Sequence, residues 1–145
     1  MGKVIDILKK KSNQAISVSP NTSVLDALKI MAENNIGSIL VMQGSTYLGL
    51  MTERDYARKV ILKEKHSTDA IVSDIMTTDL PRVNPRDKVE HCMSLMADSN
   101  VRYLPVFDNG VLVGLVSIID VIQEMVRIQR ETISHLQDFI SSNYA

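Results

Sequence analysis

The chain has 145 residues and a mass of 16.2 kDa, which is one domain's worth of sequence at roughly 100–200 residues per domain. With 45% hydrophobic and 23% charged residues it has the composition of a globular protein with a sizeable core, which excludes a disordered chain. Sixteen basic and seventeen acidic residues give a net charge of −1, which argues against a nucleic-acid partner.

We expect no membrane segment, because the longest purely apolar runs have about four residues, whereas a spanning helix needs about twenty. The stretch at residues 4–8 is too short for a signal peptide, and three lysines follow it, which is the wrong order for such a segment. Cys92 is the single cysteine and has no partner for an internal disulfide. It falls on an apolar helical stripe, which favours a buried core residue over a reactive thiol. These features favour a cytoplasmic protein.

The chain repeats itself. A shift of 65 residues, without a gap, superposes residues 16–56 on residues 81–121 and gives ten identities in 41 pairs. The identical pairs include Gly49 with Gly114 and Asp55 with Asp120. The chain is therefore a tandem duplication.

The first copy predicts the element order β-α-β-β-α. A strand at 16–18 ends at a proline, and Ser23 with Asp26 forms a capping-box pattern that starts a helix. Two apolar strands are expected at 38–42 and 47–51, joined by a turn at 43–45. A second helix is predicted from Glu53 to about Lys65.

The second copy predicts the same order. A short strand lies around residues 82–83, and Asp87 with Glu90 forms the capping-box pattern of its first helix. Strands are expected at 103–107 and 111–116, joined by Asn109 and Gly110, a strong hairpin signal because both residue types tolerate positive φ. The polar segment 65–74 is predicted to be the linker between the copies.

A long final helix is predicted from Ile118 to about Ile140, beyond what the repeat requires. Its apolar stripe either packs on its own domain or meets the same helix of a second subunit. The stripe consists of Ile122, Met125, Val126, Gln129, Ile133, Leu136 and Ile140.

A β-α-β-β-α unit of about sixty residues that ends in Gly-x-x-Thr/Ser-x-x-Asp resembles the cystathionine-β-synthase (CBS) domain, and the tandem copy resembles a CBS pair. The motif lies at residues 49–55 and 114–120, and the run 101–106 is similar to the family's stretch leading into its second strand. The resemblance assigns 10–66 to the first repeat and 74–135 to the second. It leaves an N-terminal segment, 1–9, and a C-terminal helix extension, 136–145. It implies an α/β (α+β) fold of two repeats packed with pseudo-twofold symmetry.

The resemblance also implies a function. In this family the clefts between the repeats bind adenosine nucleotides, and the module regulates another activity. We therefore expect AMP, ADP, ATP or NAD(H) as the ligand, no catalytic cofactor, a homodimer and an effector protein that receives an energy or redox signal. No nucleic-acid or membrane partner is expected.

The repeated motif has a chemical rationale. One carboxylate can accept a hydrogen bond from each of the two vicinal hydroxyls of a ribose, which makes Asp55 and Asp120 the ribose candidates, with Thr52 and Ser117 beside them. The helix that follows each motif points its N-terminal amides toward the same place, which favours a phosphate.

The two sites are expected to differ in charge. Arg54 and Arg58 add guanidinium donors for phosphate in the first copy, whereas isoleucines stand at comparable places in the second. We expect the Asp55 site to tolerate more phosphate charge. The Asp120 site needs a cation from elsewhere, and Arg102 is the first candidate.

The family's adenine contacts, carried over by the 65-residue offset, imply further lining residues. Residues 11–16, including Gln14 and Ile16, would close the Asp120 site, and residues 76–81, including Thr77 and Thr78, would close the Asp55 site. Ile36 would line the Asp55 cleft, and Val101 is its equivalent in the second copy.

Structural roles remain open for the same residues. The Thr52/Asp55 and Ser117/Asp120 pairs are also capping boxes that any helix can use. Arg54 and Arg58 lie four residues apart, which also fits a solvated helix face, and Arg102 is also a candidate partner for a carboxylate.

No catalytic or metal-binding pattern is found. The three histidines, His66, His91 and His135, have no second ligand at zinc spacing, and no nucleophile and base are paired. We interpret the chain as a regulatory module and not an enzyme. The alternatives are a ligand-free dimerising interaction module with vestigial sites and, more weakly, an enzyme subunit, because some family members are fused to nucleotide dehydrogenases.

Overall fold

The computed structural model describes residues 2–11 and 15–144, with side chains described up to residue 142. The chain forms two compact units: a first unit, Gln14–Leu80, and a second unit, Met1–Asn13 with Pro81–Ala145. No helix in the described ranges is long and apolar enough to cross a membrane. In chain order the elements are α1 (Val4–Lys10), β1 (Ser17–Val18), α2 (Val24–Glu33), β2 (Ser38–Gln43), β3 (Thr46–Thr52), α3 (Glu53–Tyr56), α4 (Val72–Ile75), α5 (Val89–Ser99), β4 (Tyr103–Asp108), β5 (Val111–Ser117) and α6 (Ile118–Tyr144).

The predicted α/β fold with the order β-α-β-β-α is confirmed. In the first unit β2 pairs in parallel with β1 and antiparallel with β3. In the second unit β4 and β5 form the hairpin, and the first strand is reduced to one parallel bridge between Val83 and Val106. Both hairpins change register at equivalent places, after Val41 and after Val106. Such bulges sharpen the twist of a hairpin.

Helix starts differ between the copies. The Ser23 hydroxyl accepts a hydrogen bond from the Asp26 amide at 3.0 Å, which confirms it as the cap of α2. The matching prediction for Asp87 is wrong, because α5 begins after Lys88 without a side-chain cap. The Asp87 carboxylate instead accepts from the Asn84 amide at 2.8 Å and closes the preceding turn.

Left-handed backbone marks the turns. Asn109 (φ 51°) and Gly110 (φ 80°) form the predicted hairpin turn. Asn35 and Asn100, an identical pair in the repeat, both have φ 52° and follow the first helix of each copy. Asparagine tolerates this conformation better than most residues, which explains its use at a helix end.

The helix after the first motif is shorter than predicted. The α3 helix continues directly into a π-helical turn, Ala57–Ile61, so the predicted end near Lys65 is wrong. Glu64 adopts φ 57°, a left-handed conformation that cannot continue a right-handed helix. The predicted linker at 65–74 is also partly wrong, because α4 begins within it at Val72.

Each unit contains the helix that precedes the other repeat. The α1 helix belongs to the second unit, where the Val4 amide donates to the Asp87 carbonyl at 2.9 Å, and α4 belongs to the first unit, where the Val72 amide donates to the Thr22 carbonyl at 2.8 Å. Asp6 and Asp74 cap the two helices in the same way. The compact units therefore do not follow the sequence copies.

Each unit has its own apolar core. The first is formed by Val18, Val24, Ala27, Met31, Ile39, Val41, Met51, Val60, Ala70, Val72 and Ile75. The second is formed by Val4, Ile7, Val83, Val89, Cys92, Met96, Leu104, Val106, Val116 and Val121.

Candidate functional site

The first candidate site, the Asp55 site, lies where β3 passes into α3. The Thr52 amide donates to Asp55 Oδ2 at 3.0 Å, and the Thr52 hydroxyl donates to the same oxygen at 3.1 Å. The Asp55 amide donates back to Thr52 Oγ1 at 3.0 Å. This reciprocal capping box satisfies helix-end amides and fixes the direction of the carboxylate.

The other oxygen of Asp55 is also occupied by the first unit itself. The Thr77 hydroxyl donates to Asp55 Oδ1 at 2.9 Å, and the Lys59 ammonium lies 3.0 Å from the same atom. Lys59 also donates to the Ile75 carbonyl at 2.9 Å. The Asp55 side chain is only 7% exposed. A ligand hydroxyl must therefore displace Thr77 or Lys59 to reach Asp55.

The second candidate site, the Asp120 site, has the same local geometry where β5 passes into α6. The Ser117 amide donates to Asp120 Oδ2 at 2.9 Å, and the Asp120 amide donates to Ser117 Oγ at 3.1 Å. The Lys11 ammonium lies 2.9 Å from Asp120 Oδ2 and donates to the Leu115 carbonyl, also at 2.9 Å. Among the described residues, Oδ1 of Asp120 has no hydrogen-bond donor.

A small cavity of about 140 Å³ lies beside Asp120. Typical small-molecule pockets occupy roughly 300–1,000 Å³, so this cavity has the size of one part of a nucleotide, such as a sugar or a phosphate. Positive charge at its wall comes from the end of α1. The cavity is lined by Ile7, Lys10, Lys11, Asp120, Gln123 and Glu124.

An ion-pair network borders this cavity. Glu124, 3% exposed, accepts from Arg127 at 2.6 and 2.8 Å and from the Lys10 ammonium at 3.0 Å. Arg127 also pairs with Glu131 at 2.5 Å. The Arg127 hydrogen bonds, aided by Lys10, outweigh the effect of burial and lower the pKa of Glu124 to about 2. Lys10 and Lys11 thus hold two acids, Glu124 and Asp120, one helical turn apart on α6.

The predicted cationic residues lie at differing depths. Arg54 is half-buried, whereas Arg58 and Thr78 are exposed. Arg102 is exposed, and its carbonyl accepts from the Ile118 amide at 2.8 Å, which ties it to the start of α6. The cation paired with Asp120 is Lys11, which differs from the expectation for Arg102.

The predicted lining residues are distributed over several places. Ile36 lines a groove of about 470 Å³ with Glu53 and Tyr56, a set that does not include Asp55. Val101 packs against the core of the second unit, and Ile16 against the core of the first. Gln14 lies outside the described residues.

Sequence reasoning did not predict that a lysine pairs with each aspartate. Lys59 stands four residues after Asp55, a spacing that brings side chains together on a helix, so it carried a usable signal. Lys11 is 109 residues away from Asp120 in the chain; it falls in the segment 11–16 that was expected at the Asp120 site, but the expected cation was Arg102.

No metal centre was found in the described part of the chain, where no three His, Cys, Asp or Glu side chains cluster as ligands. Cys92 is fully buried, and burial, reinforced by nearby Asp87, raises the pKa of its thiol to about 11. A thiol with such a pKa is a poor nucleophile at neutral pH.

The chain is similar to a known protein family over both motifs. The CBS domain family matches this chain twice, at residues 4–62 and 72–127. The chain belongs to the CBS domain family. The matches include α1 as well as both Asp-containing motifs, and together they describe a CBS pair.

Known relatives agree with this assignment. The mitochondrial CBS domain-containing protein CBSX3 of Arabidopsis thaliana is 34% identical over 97% of this chain and 73% of that protein. A CBS-domain protein of known structure from Burkholderia ambifaria is 42% identical, with a TM-score of 0.83 over 86% of this chain and 94% of that one. An inosine-5'-monophosphate dehydrogenase of Korarchaeum cryptofilum is 36% identical over 73% of this chain but only 21% of the enzyme. The likeness to that enzyme is confined to its CBS region.

Proposed function

We propose that this CBS pair is a regulatory subunit that binds an adenosine nucleotide, AMP, ATP or NAD(H), at the Asp120 site and signals energy or redox state to an effector protein. The observation that carries the proposal is the Lys11 ammonium at 2.9 Å from Asp120 Oδ2, beside an Oδ1 that accepts no hydrogen bond from residues 2–11 or 15–144. An acceptor oxygen next to a cation suits a molecule that carries both hydroxyls and phosphate.

The surroundings of Asp120 support this assignment. Ser117 and Asp120 stand at the N-terminus of α6, a helix of 27 residues whose first amides favour an anion. Lys11 is 37% exposed, so its side chain has room to turn from Asp120 toward a phosphate. The cavity beside Asp120 takes the sugar or the phosphate, and the base lies outside it.

The Asp55 site is proposed as the weaker site. Both of its carboxylate oxygens already accept hydrogen bonds from Thr52, Thr77 or Lys59. A ribose there must replace hydrogen bonds that are already made, so its net gain is small. The expectation from Arg54 and Arg58, that the Asp55 site tolerates more phosphate charge, remains a prediction.

The proposed module is a non-enzymatic, cytoplasmic homodimer. Its relatives are CBS-domain proteins, and its likeness to a dehydrogenase is limited to that enzyme's CBS region. A ligand changes a regulatory equilibrium only through different affinities for two states. We therefore propose that nucleotide occupancy changes the affinity for the effector.

The second candidate function is a ligand-free dimerising module with vestigial sites. The closed Asp55 site and the exposed apolar residues of α6 favour it. In this alternative Lys11 and Asp120 only fasten α1 to α6, and no nucleotide binds.

Calorimetric titration of the nucleotide-stripped protein with AMP, ATP and NADH separates the two functions. We expect saturable binding with one dominant site per chain. Lys11→Met should weaken AMP binding about tenfold, because one charge-assisted contact is lost. Lys9→Met, at an exposed lysine of the same helix, is the matched control and should bind AMP like the parent.

Two further titrations test the sugar contact. Asp120→Ala should abolish the dominant site, and deoxyadenosine monophosphate should bind the parent much more weakly than AMP because it lacks one of the two hydroxyls. Equal binding of the deoxy analogue would show that Asp120 does not read the ribose. Absence of binding by all three nucleotides would favour the ligand-free module.

A further inference from the structure

The C-terminal part of α6 stands apart from the rest of the fold. The family match ends at residue 127, but the helix continues to Tyr144. Every residue from Thr132 to Ser142 is exposed on all faces of the helix. Most helical stability in proteins comes from packing of an amphipathic face, and this stretch packs no face on its own unit.

The exposed face of α6 has a strict spacing. The exposed apolar residues of this face, taken with Gln129, alternate in steps of three and four, which is the heptad spacing of a coiled coil, and exposed Phe139 lies beside this row. One set of positions carries only β-branched residues, and the other carries leucine, isoleucine and one glutamine. The first set, the a positions, is Ile119, Val126, Ile133 and Ile140, and the second, the d positions, is Ile122, Gln129 and Leu136.

These seam residues are available to a partner. Ile133, Leu136 and Ile140 are 54–56% exposed. Met125, which the sequence stripe included, packs instead against the core of the second unit. The seam that faces outward is therefore distinct from the face that holds α6 on its own unit.

We propose that α6 pairs with the α6 of a second copy as a parallel, in-register, two-stranded coiled coil over Val126–Ile140. Isoleucine or valine at a with leucine at d favours two parallel strands. A second copy carries the same heptad seam, so a twofold axis brings like positions together. The pairing rests on the homodimer of the proposed function and adds its orientation, its register and its site.

The positions of the charged residues on α6 are compatible with a second copy of α6 against the seam. No a or d position carries a charge, and the Arg127–Glu131 ion pair lies on the outer side of α6. Arg130 is the one charged residue among the positions that flank the seam, where it would face Met125 of the second copy and so meet no like charge. Gln129 meets Gln129 only in register, and any shifted register places this polar side chain against an apolar one.

Cysteine cross-linking of the full-length protein tests orientation and register. Val126→Cys and Ile140→Cys, made separately, lie about 21 Å apart along the helix. Both should form disulfide-linked dimers, because only a parallel, in-register pair brings each position next to itself. Ser134→Cys, on the outer side of α6, is the control and should stay monomeric on a non-reducing gel. Buried Cys92 does not compete.

Sedimentation velocity tests whether the seam holds the dimer. Ile133→Glu with Leu136→Glu should weaken self-association at least about 100-fold, because it buries unpaired charges. Ser134→Glu with His135→Glu adds the same charge to the same turn outside the seam and should leave self-association unchanged. The proposal is overturned if only one cysteine variant or neither cross-links, or if the seam variant associates like the parent. AMP titration of the same samples shows separately whether nucleotide binding has failed.

Discussion

The two copies share one motif but close it differently. Thr52 with Asp55 and Ser117 with Asp120 make the same capping hydrogen bonds, at 2.9–3.1 Å. The remaining oxygen of Asp55 is held by Thr77 and Lys59, whereas the remaining oxygen of Asp120 is open among the described residues. A duplicated motif therefore does not give duplicated sites.

One charge reversal accounts for much of this difference. Lys59 and Glu124 are equivalent under the 65-residue shift, and each lies four residues after its aspartate. Lys59 turns back to Asp55 and closes that site. Glu124 has the same sign as Asp120 and instead binds Lys10 and Arg127, so it gives Asp120 no donor.

The largest expected difference between the copies lies at the motif glycines. A Cβ at position 49 would lie 2.7 Å from the Thr77 carbonyl oxygen, whereas a Cβ at position 114 would lie 2.7 Å from the end of the Leu8 side chain. Backbone cannot move away as a flexible side chain can, so Gly49→Ala should cost about 3 kcal/mol and Gly114→Ala about 1 kcal/mol. Urea unfolding measures both. Equal losses of unfolding free energy for the two variants would show that the backbone at Thr77 moves aside as easily as the Leu8 side chain.

The next difference concerns the aspartates themselves. Asp55→Ala leaves the half-buried partners Thr77 and Thr52 without their acceptor and should lower the free energy of unfolding by about 2 kcal/mol. Asp120→Ala removes mainly a cap beside solvent and should cost about 1 kcal/mol. Urea unfolding without nucleotide tests this. A larger loss for Asp120→Ala would contradict the view that Asp55 is the structural member of the pair.

The sequence predicted the features that depend on local chemistry. The repeat, the hairpin turn at Asn109 and the helix starts at Glu53 and Ile118 follow from short-range patterns, and all are present. The aspartate-lysine contacts at 2.9 and 3.0 Å depend on side-chain direction and tertiary packing. Only the Asp55–Lys59 contact follows from sequence spacing, because residues four apart face each other on a helix.

The sequence did not reveal that α1 packs in the second unit and α4 in the first, because the spacing of the repeat conceals it. Val4-x-Asp6-Ile7 and Val72-x-Asp74-Ile75 are related by 68 residues, whereas the rest of the copies is related by 65. An ungapped shift therefore misaligns α1 with α4. Nothing local in a seven-residue helix indicates which repeat it packs against, because that choice is made by Val4 and Ile7 entering a distant core.

The smallest expected effect comes from Glu124, which has no counterpart among the acids of the first copy. Its pKa is about 2 in the folded chain and near 4.5 when unpaired. A lowered folded pKa stabilises the chain fully above about pH 4.5, and that stabilisation is lost as the pH falls toward 2. Because Lys10 is half-exposed and Arg127 partly so, solvent screening reduces the contribution to about 1 kcal/mol.

Urea unfolding between pH 2 and 6 measures this contribution. Glu124→Gln should flatten the pH dependence of the unfolding free energy in this window, since glutamine has no proton to gain. Asp138→Asn, at an exposed acid on the same helix, is the matched control and should keep the slope of the parent. A slope unchanged by Glu124→Gln would mean that Lys10 and Arg127 do not hold this carboxylate in solution. The charge reversal between Lys59 and Glu124 would then not account for the difference between the two aspartates.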